Sequence, residues 1–191
     1  MYKLCKTEQS AARQRQLELG LLQTMCTHRY EEISISDLCE SMAIPRKSFY
    51  RYFSSKDGAL MALIDHTLME FDTFSDGRLK ERNASAAGDL ERYFLFWYEQ
   101  KTLLDALQKS RLSGMLVERA TFHAINESLM PRYLRSLPEH IQAIALNFSV
   151  CGLLSMVLQW HHQGFRETPE TMARVAAMML SRPLLPGEND D

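Results

Sequence analysis

Apolar residues along this chain recur at spacings of three and four, the period of helices packed on one side. Leu17, Leu21, Leu22 and Met25 mark a first helix over about 8–28. Ser36 can cap a short helix through about Met42, and a second short helix follows over 45–53. Ser55 can cap the next, which carries Leu60, Leu63, Ile64, Leu68 and Phe71. The stretch 75–88 holds Asp76-Gly77 and Asn83 and is expected to break the helical run. Helices then resume at about 87–100, 102–109 and 111–135, the last interrupted by Pro131. Pro138 opens another to about Gln163, and Thr168-Pro169-Glu170 starts the final one, to about Leu180. No stretch alternates as a strand would, so the expected fold is all-α.

The segment 34–53 carries the most specific pattern. Two helices of about two turns flank a tight turn at Ala43-Ile44. On the second helix Phe49 and Phe53 are four apart and share one face, while Arg46 with Tyr50 and Lys47 with Arg51 cover the other. Burying the two phenylalanines against Ile35, Leu38, Cys39 and Ile44 leaves two arginines, a lysine and a tyrosine facing outward together. A short helix of that kind suits the DNA major groove: basic and hydroxyl groups hold phosphates, and first-turn side chains reach base edges. Charge alone would favour a solvated basic face on two core helices; the aromatic spacing, the turn and the flanking residues together reverse that in favour of the groove.

This segment resembles the DNA-binding module of the tetracycline-repressor (TetR) family. The residues that carry the resemblance are Ser34-Ile35-Ser36-Asp37-Leu38-Cys39, Ala43-Ile44, and Arg46-Lys47-Ser48-Phe49-Tyr50-Arg51-Tyr52-Phe53 followed by Ser55-Lys56. The resemblance implies that Ser34 meets a phosphate and that Arg46, Lys47 and Ser48 enter the major groove. It implies that Tyr50 and Tyr52 give hydroxyls to phosphates, that Arg51 lies near a base or phosphate, and that Lys56 clamps the backbone. Two positions depart from the pattern. Ala43 stands where the family usually has Gly, and Pro45 where Ser or Thr is frequent. If position 43 is left-handed, its Cβ costs roughly 1 kcal/mol.

The organisation expected is an N-terminal three-helix helix-turn-helix domain over 1–55, a C-terminal helical effector-binding and dimerisation domain over 56–184, and a flexible acidic tail over 185–191. In the family the second region dimerises and usually encloses a small-molecule pocket. Trp97, Met115, Phe122 and Phe148 are candidate walls; Arg119, His123 and Cys151 are candidate polar contacts. For each of these, packing or a satisfied surface group is the competing explanation. Apolar stripes on the last two helices (Ile141, Ile144, Ala145, Phe148, Cys151 and Gly152, then Met172, Val175, Ala176 and Met179) are expected to form a homodimer contact of four helices. They could instead face the subunit's own core.

Composition adds little. The formal charge is −2 overall, but residues 1–60 carry nine Lys/Arg against seven Asp/Glu. The four cysteines form no CxxC pair and are expected to be reduced thiols. No signal peptide is apparent at the N-terminus, and no uninterrupted apolar run approaches the ~20 residues of a membrane span; a cytoplasmic protein without a membrane partner is expected. No metalloprotease, nucleophile-elbow, phosphate-loop or zinc spacing appears, so neither an enzyme nor a cofactor is implied. The expected function is a dimeric regulator that binds double-stranded operator DNA and is released by a small-molecule effector of unknown identity. The alternative is a helical protein-interaction adaptor whose helix-turn-helix does not bind DNA.

Overall fold

In the computed structural model, residues 2, 5, 7–79, 86–126 and 136–181 are described. Among them every regular element is helical: α1 (Glu8–Thr27), a 3-10 turn (Tyr30–Glu32), α2 (Ile35–Ser41), α3 (Arg46–Tyr52), α4 (Lys56–Leu79), α5 (Ala86–Glu99), α6 (Lys101–Lys109), α7 (Ser113–Asn126), α8 (Glu139–His162) and α9 (Pro169–Ser181). The all-α expectation holds. The chain forms two compact units, Met1–Met69 with Thr102–Val150, and Glu70–Lys101 with Cys151–Asp191.

Local chemistry sets most helix ends. The Thr7 side chain accepts from Ser10 N–H at the start of α1, Ser55 Oγ accepts from Gly58 N–H at the start of α4, and Thr168 Oγ1 accepts from Thr171 N–H at α9. One expected cap is shifted. Ser34, not Ser36, caps α2: its Oγ accepts from Asp37 N–H at 3.1 Å and donates to Asp37 Oδ2 at 2.7 Å. Both serines offer a hydroxyl, but Ser34 has the acidic partner three residues on. The expected break at 75–88 is also shorter than foreseen, because α4 continues to Leu79 and α5 begins at Ala86. The helical run expected to 135 is seen through Asn126; Pro131 and the tail 185–191 lie outside the described residues.

In the first unit α1 packs against α2, and α2 against α3. Leu17, Leu21, Met25, Leu38, Phe49, Phe53, Leu60, Leu63 and Ile64 are all within 1% of complete burial. The Met42 side chain packs into the space left by Gly20, where a Cβ would sit 2.2 Å from Met42 Sδ. Polar ties cross this core. Buried Glu18 pairs with His66 Nδ1 at 2.8 Å and Arg15 Nη1 at 3.2 Å. Buried Asp65 accepts two bonds from Arg119, at 2.6 and 2.7 Å, and one from the Tyr2 hydroxyl at 2.7 Å. Tyr2 also makes an antiparallel bridge with Phe53, the residue that ends α3.

The second unit is an aromatic assembly. Phe71 packs edge-on against Tyr93 and Phe96, Phe94 against Trp160, and Phe165 against Trp160 at 4.5 Å. Helix α9 lies along α5, burying Ala173 and Ala176. A left-handed Gly164-Phe165 turn lets Trp160 Nε1 reach Glu167 O at 3.1 Å.

Helix α8 corrects one expectation. It has 24 residues and is long and apolar enough, by length and composition alone, to cross a membrane. The expectation counted unbroken apolar runs, and Gln142, Asn147 and Ser149 interrupt this one without lowering its average hydropathy below that of a span. Only 17% of its apolar window is buried within the chain.

Candidate nucleic-acid interface

The site is built from the α2–turn–α3 unit. Helix α2 buries Leu38 and Cys39, and the turn follows through Ala43 at φ +51°. That left-handed residue is the position where the family pattern carries Gly, so the turn geometry is kept and the alanine bears the Cβ strain. Ala43 N–H donates to Glu40 O and Ile44 N–H to Cys39 O, which closes the turn. Pro45 then occupies the N-cap with φ −60° and no side-chain cap bond. Its carbonyl accepts from Ser48 N–H at 2.8 Å.

Helix α3 is divided as its spacing requires. Phe49 and Phe53 are buried, with ring centroids 5.2 Å apart. Arg46, Lys47, Tyr50 and Arg51 are exposed, and Ser48 is half-buried at the margin. At about 100° per residue, Arg46, Tyr50, Lys47 and Arg51 cover a continuous arc of about 140°. Among the described residues none of these three cations forms an ion pair. Arg51 lies 5.9 Å from the Tyr52 ring.

Three other candidate residues stand differently. The Ser34 hydroxyl is exposed but holds the α2 cap. Tyr52 is largely buried at 7% and packs on Phe53. Lys56 is half-buried; its Nζ donates to Ile33 O at 2.6 Å and to Tyr30 O, and sits 4.2 Å over the Tyr30 ring. The ammonium therefore ties the 3-10 turn to the start of α4, leaving one N–H for any further partner. Tyr30 is held from its other end by Asp57, to which its hydroxyl donates; burial and that carboxylate push the hydroxyl's pKa far above the ordinary tyrosine value.

Sequence reasoning left out α1. Its first turns face the inner edge of α3 across a polar cleft of about 290 Å³ lined by Gln9, Ser10, Arg13, Ser48, Arg51 and Tyr52. A cation one turn into α1 is a faint signal, but the contact spans about forty residues of sequence and only the fold makes it.

The candidate effector residues fall in both units. Met115, Arg119, Phe122, His123 and Phe148 belong to the first unit, Trp97 and Cys151 to the second. Arg119 is committed to Asp65 and stacks 4.8 Å over Phe122. Phe122 and Phe148 are 55% and 60% exposed, so in the isolated chain neither walls an enclosed cavity. Met115, His123 and Cys151 are half-buried. Trp97 is buried among Tyr93, Phe96 and their neighbours. Its indole nitrogen and the Tyr93 hydroxyl are buried atoms without a well-formed hydrogen bond among the described residues, and burial holds the Tyr93 hydroxyl strongly protonated.

No family model matches the chain. A segment of 66 residues is 33% identical to the HTH-type transcriptional regulator EthR of Mycolicibacterium smegmatis (strain ATCC 700084 / mc(2)155), covering 35% of this chain and 30% of that protein. The match thus spans less than a third of the relative's length. The fatty acid degradation regulator FadR from Bacillus halodurans shares the fold with a TM-score of 0.60 at 13% identity, over 95% of this chain and 98% of its own. FadR from Bacillus subtilis, solved in complex with stearoyl-CoA, gives 0.55 at 13% identity, over 87% and 96%. A tetR-family transcriptional regulator from Streptomyces coelicolor gives 0.51 at 18% identity, over 87% and 78%. The chain thus shares its all-helical fold with these transcriptional regulators, and a segment of it is similar in sequence to EthR.

Proposed function

We propose that the protein is a dimeric, ligand-responsive regulator of transcription that binds operator DNA through α3. The observation that carries the reading is the exposed arc of Arg46, Lys47, Tyr50 and Arg51 above buried Phe49 and Phe53. Arg46 and Lys47, in the first turn of α3, enter the groove with Ser48; Tyr50 and Arg51 hold the flanking backbone. Ser34, Tyr52 and Lys56 act mainly by fixing the turn and the entry to α4.

A second copy covers the apolar residues that α8 and α9 leave exposed. Ile144, Phe148 and Ile141 project from α8, and Val175, Met178, Met179 and Leu180 from α9. Gly152 leaves open space around its missing Cβ, as a close helix approach needs. Ala176, expected at that contact, is instead wholly buried in the subunit's own packing. An effector acts by binding the conformer whose paired α3 helices do not fit the operator. That one fold neighbour is described with stearoyl-CoA supports a ligand-responsive reading, and the unsatisfied Trp97–Tyr93 pair is where a ligand with an acceptor group would be sought.

The test is selection of bound duplexes from a random library by the full-length protein, followed by anisotropy titrations. Arg46→Ala is expected to relax base discrimination by about 1–3 kcal/mol, and Lys47→Ala to weaken all duplexes while lowering the salt slope by about 1. Failure to enrich any duplex, or binding indifferent to salt, would favour an adaptor that reads protein. Light scattering that finds a monomer at micromolar concentration would sink the dimer.

A further inference from the structure

We propose that the cleft between the first turns of α1 and the inner edge of α3 seats one backbone phosphate of duplex DNA, held by Arg13, Arg51, Ser10 and Ser48. This rests on the DNA-binding reading and adds to it a helix outside the α2–turn–α3 unit.

Every residue lining the cleft is polar, and none is a carboxylate: Gln9, Ser10 and Arg13 come from α1, Ser48, Arg51 and Tyr52 from α3. Two guanidinium groups therefore face one concave site, and among the described residues neither has an acidic partner. Arg13 Nη1 donates to Gln16 Oε1 at 2.8 Å, which steadies the side chain and leaves its other N–H groups for an acceptor. Like charges held around a half-enclosed space favour an anion there, and guanidinium matches phosphate by geometry as well as charge. The hydroxyls of Ser10 and Ser48, on the facing helices, can donate to the same group.

The cleft also lies where a duplex would bring its backbone. Around α3, Arg46, Tyr50 and Lys47 lie at about 0°, 40° and 100°, Arg51 at about 140° and Ser48 at about 200°. Arg51 is thus the last residue of the outward arc and the first of the cleft. A duplex laid over the arc continues past Arg51 onto α1, where a phosphate, not a base edge, is the group within reach. The seat should contribute affinity without sequence preference.

The experiment uses the full-length protein, a selected duplex, an unrelated duplex of equal length, and a KCl series. Arg13→Gln is expected to weaken both duplexes by the same factor, roughly 5–20-fold at moderate salt, and to lower the salt slope by about 1. Arg13→Lys should keep the slope, and Ser10→Ala should give a smaller loss, again equal for both duplexes. If Arg13→Gln disturbs folding, as read by circular dichroism, the Arg13→Lys and Ser10→Ala pair carries the test. Unchanged affinity and slope in these variants, while Arg46→Ala still relaxes discrimination, overturns the seat and leaves the DNA reading intact. If the unaltered protein binds neither duplex, both fall. Thermal stabilisation by inorganic phosphate over chloride at matched ionic strength, abolished by Arg13→Gln with no change in duplex binding, assigns the seat to a free anion and overturns the proposal.

Discussion

Phenylalanine is used in opposite ways at the two ends of the first unit. In the helix-turn-helix, Phe49 and Phe53 are buried to 0% and 1% exposure and hold α3 with its cations outward. On α7 and α8, Phe122 and Phe148 are 55% and 60% exposed, alongside Ile125, Ile144 and Ile141. The first region is complete in one chain: Phe49 is buried against Phe53, and Tyr52 packs on Phe53. The second leaves several large apolar side chains exposed, which is the observation behind the proposed second copy. The same residue type therefore stabilises the subunit in one place and is left for the proposed second copy in the other.

That contrast can be broken by substitution. Phe49→Ala should cost about 3–5 kcal/mol, since it empties a fully buried ring site, and chemical denaturation of the full chain reads it directly. Asp65→Asn should cost about 2–3 kcal/mol, somewhat less than a fully buried pair because the Arg119 side chain is 21% exposed; it removes the counter-charge of Arg119 and leaves one acceptor oxygen where Arg119 and Tyr2 used two. Ala43→Gly should stabilise by about 1 kcal/mol by relieving the left-handed strain. Phe148→Ser should change the unfolding free energy of a dilute monomer by less than about 0.5 kcal/mol, yet shift the sedimentation profile from dimer to monomer. A Phe148→Ser protein that melts as early as Phe49→Ala would erase the distinction.

A pH series sharpens the same contrast. Burial and the facing carboxylates Asp65 and Asp57 raise the Tyr2 and Tyr30 hydroxyls above their ordinary value. Because the folded chain keeps protons that the unfolded chain releases, stability should hold up to about pH 10 and fall beyond it. Tyr2→Phe and Tyr30→Phe should flatten that fall, as followed by alkaline melting curves.

How much was legible in the sequence follows from range. The α3 division into buried and exposed faces is a property of one helix, and spacing alone gives it. The Gly of the resembling pattern raises a left-handed residue at Ala43 as a condition, and the φ of +51° meets it. The place of Lys56 was not legible: its carbonyl partners lie on Tyr30 and Ile33, more than twenty residues away, and no local pattern distinguishes a lysine that faces a duplex from one that ties its own chain. Arg119 was offered as a ligand contact for the same reason, its true partner being Asp65 on another helix. Arg13 was passed over because its neighbours on α3 are brought to it only by the packing of α1. The choice between Ser34 and Ser36 turned on a single spacing, three residues to Asp37.

The missing side chain at Gly20 couples that position to Met42. Met42 occupies the space a methyl group would need, directly before the Ala43 turn. Anything larger at position 20 must push the thioether aside, and the displaced residue is covalently joined to the segment that aims Arg46 and Lys47. A larger residue at position 20 is therefore felt at α3 only as far as the Met42 side chain fails to swing clear of it.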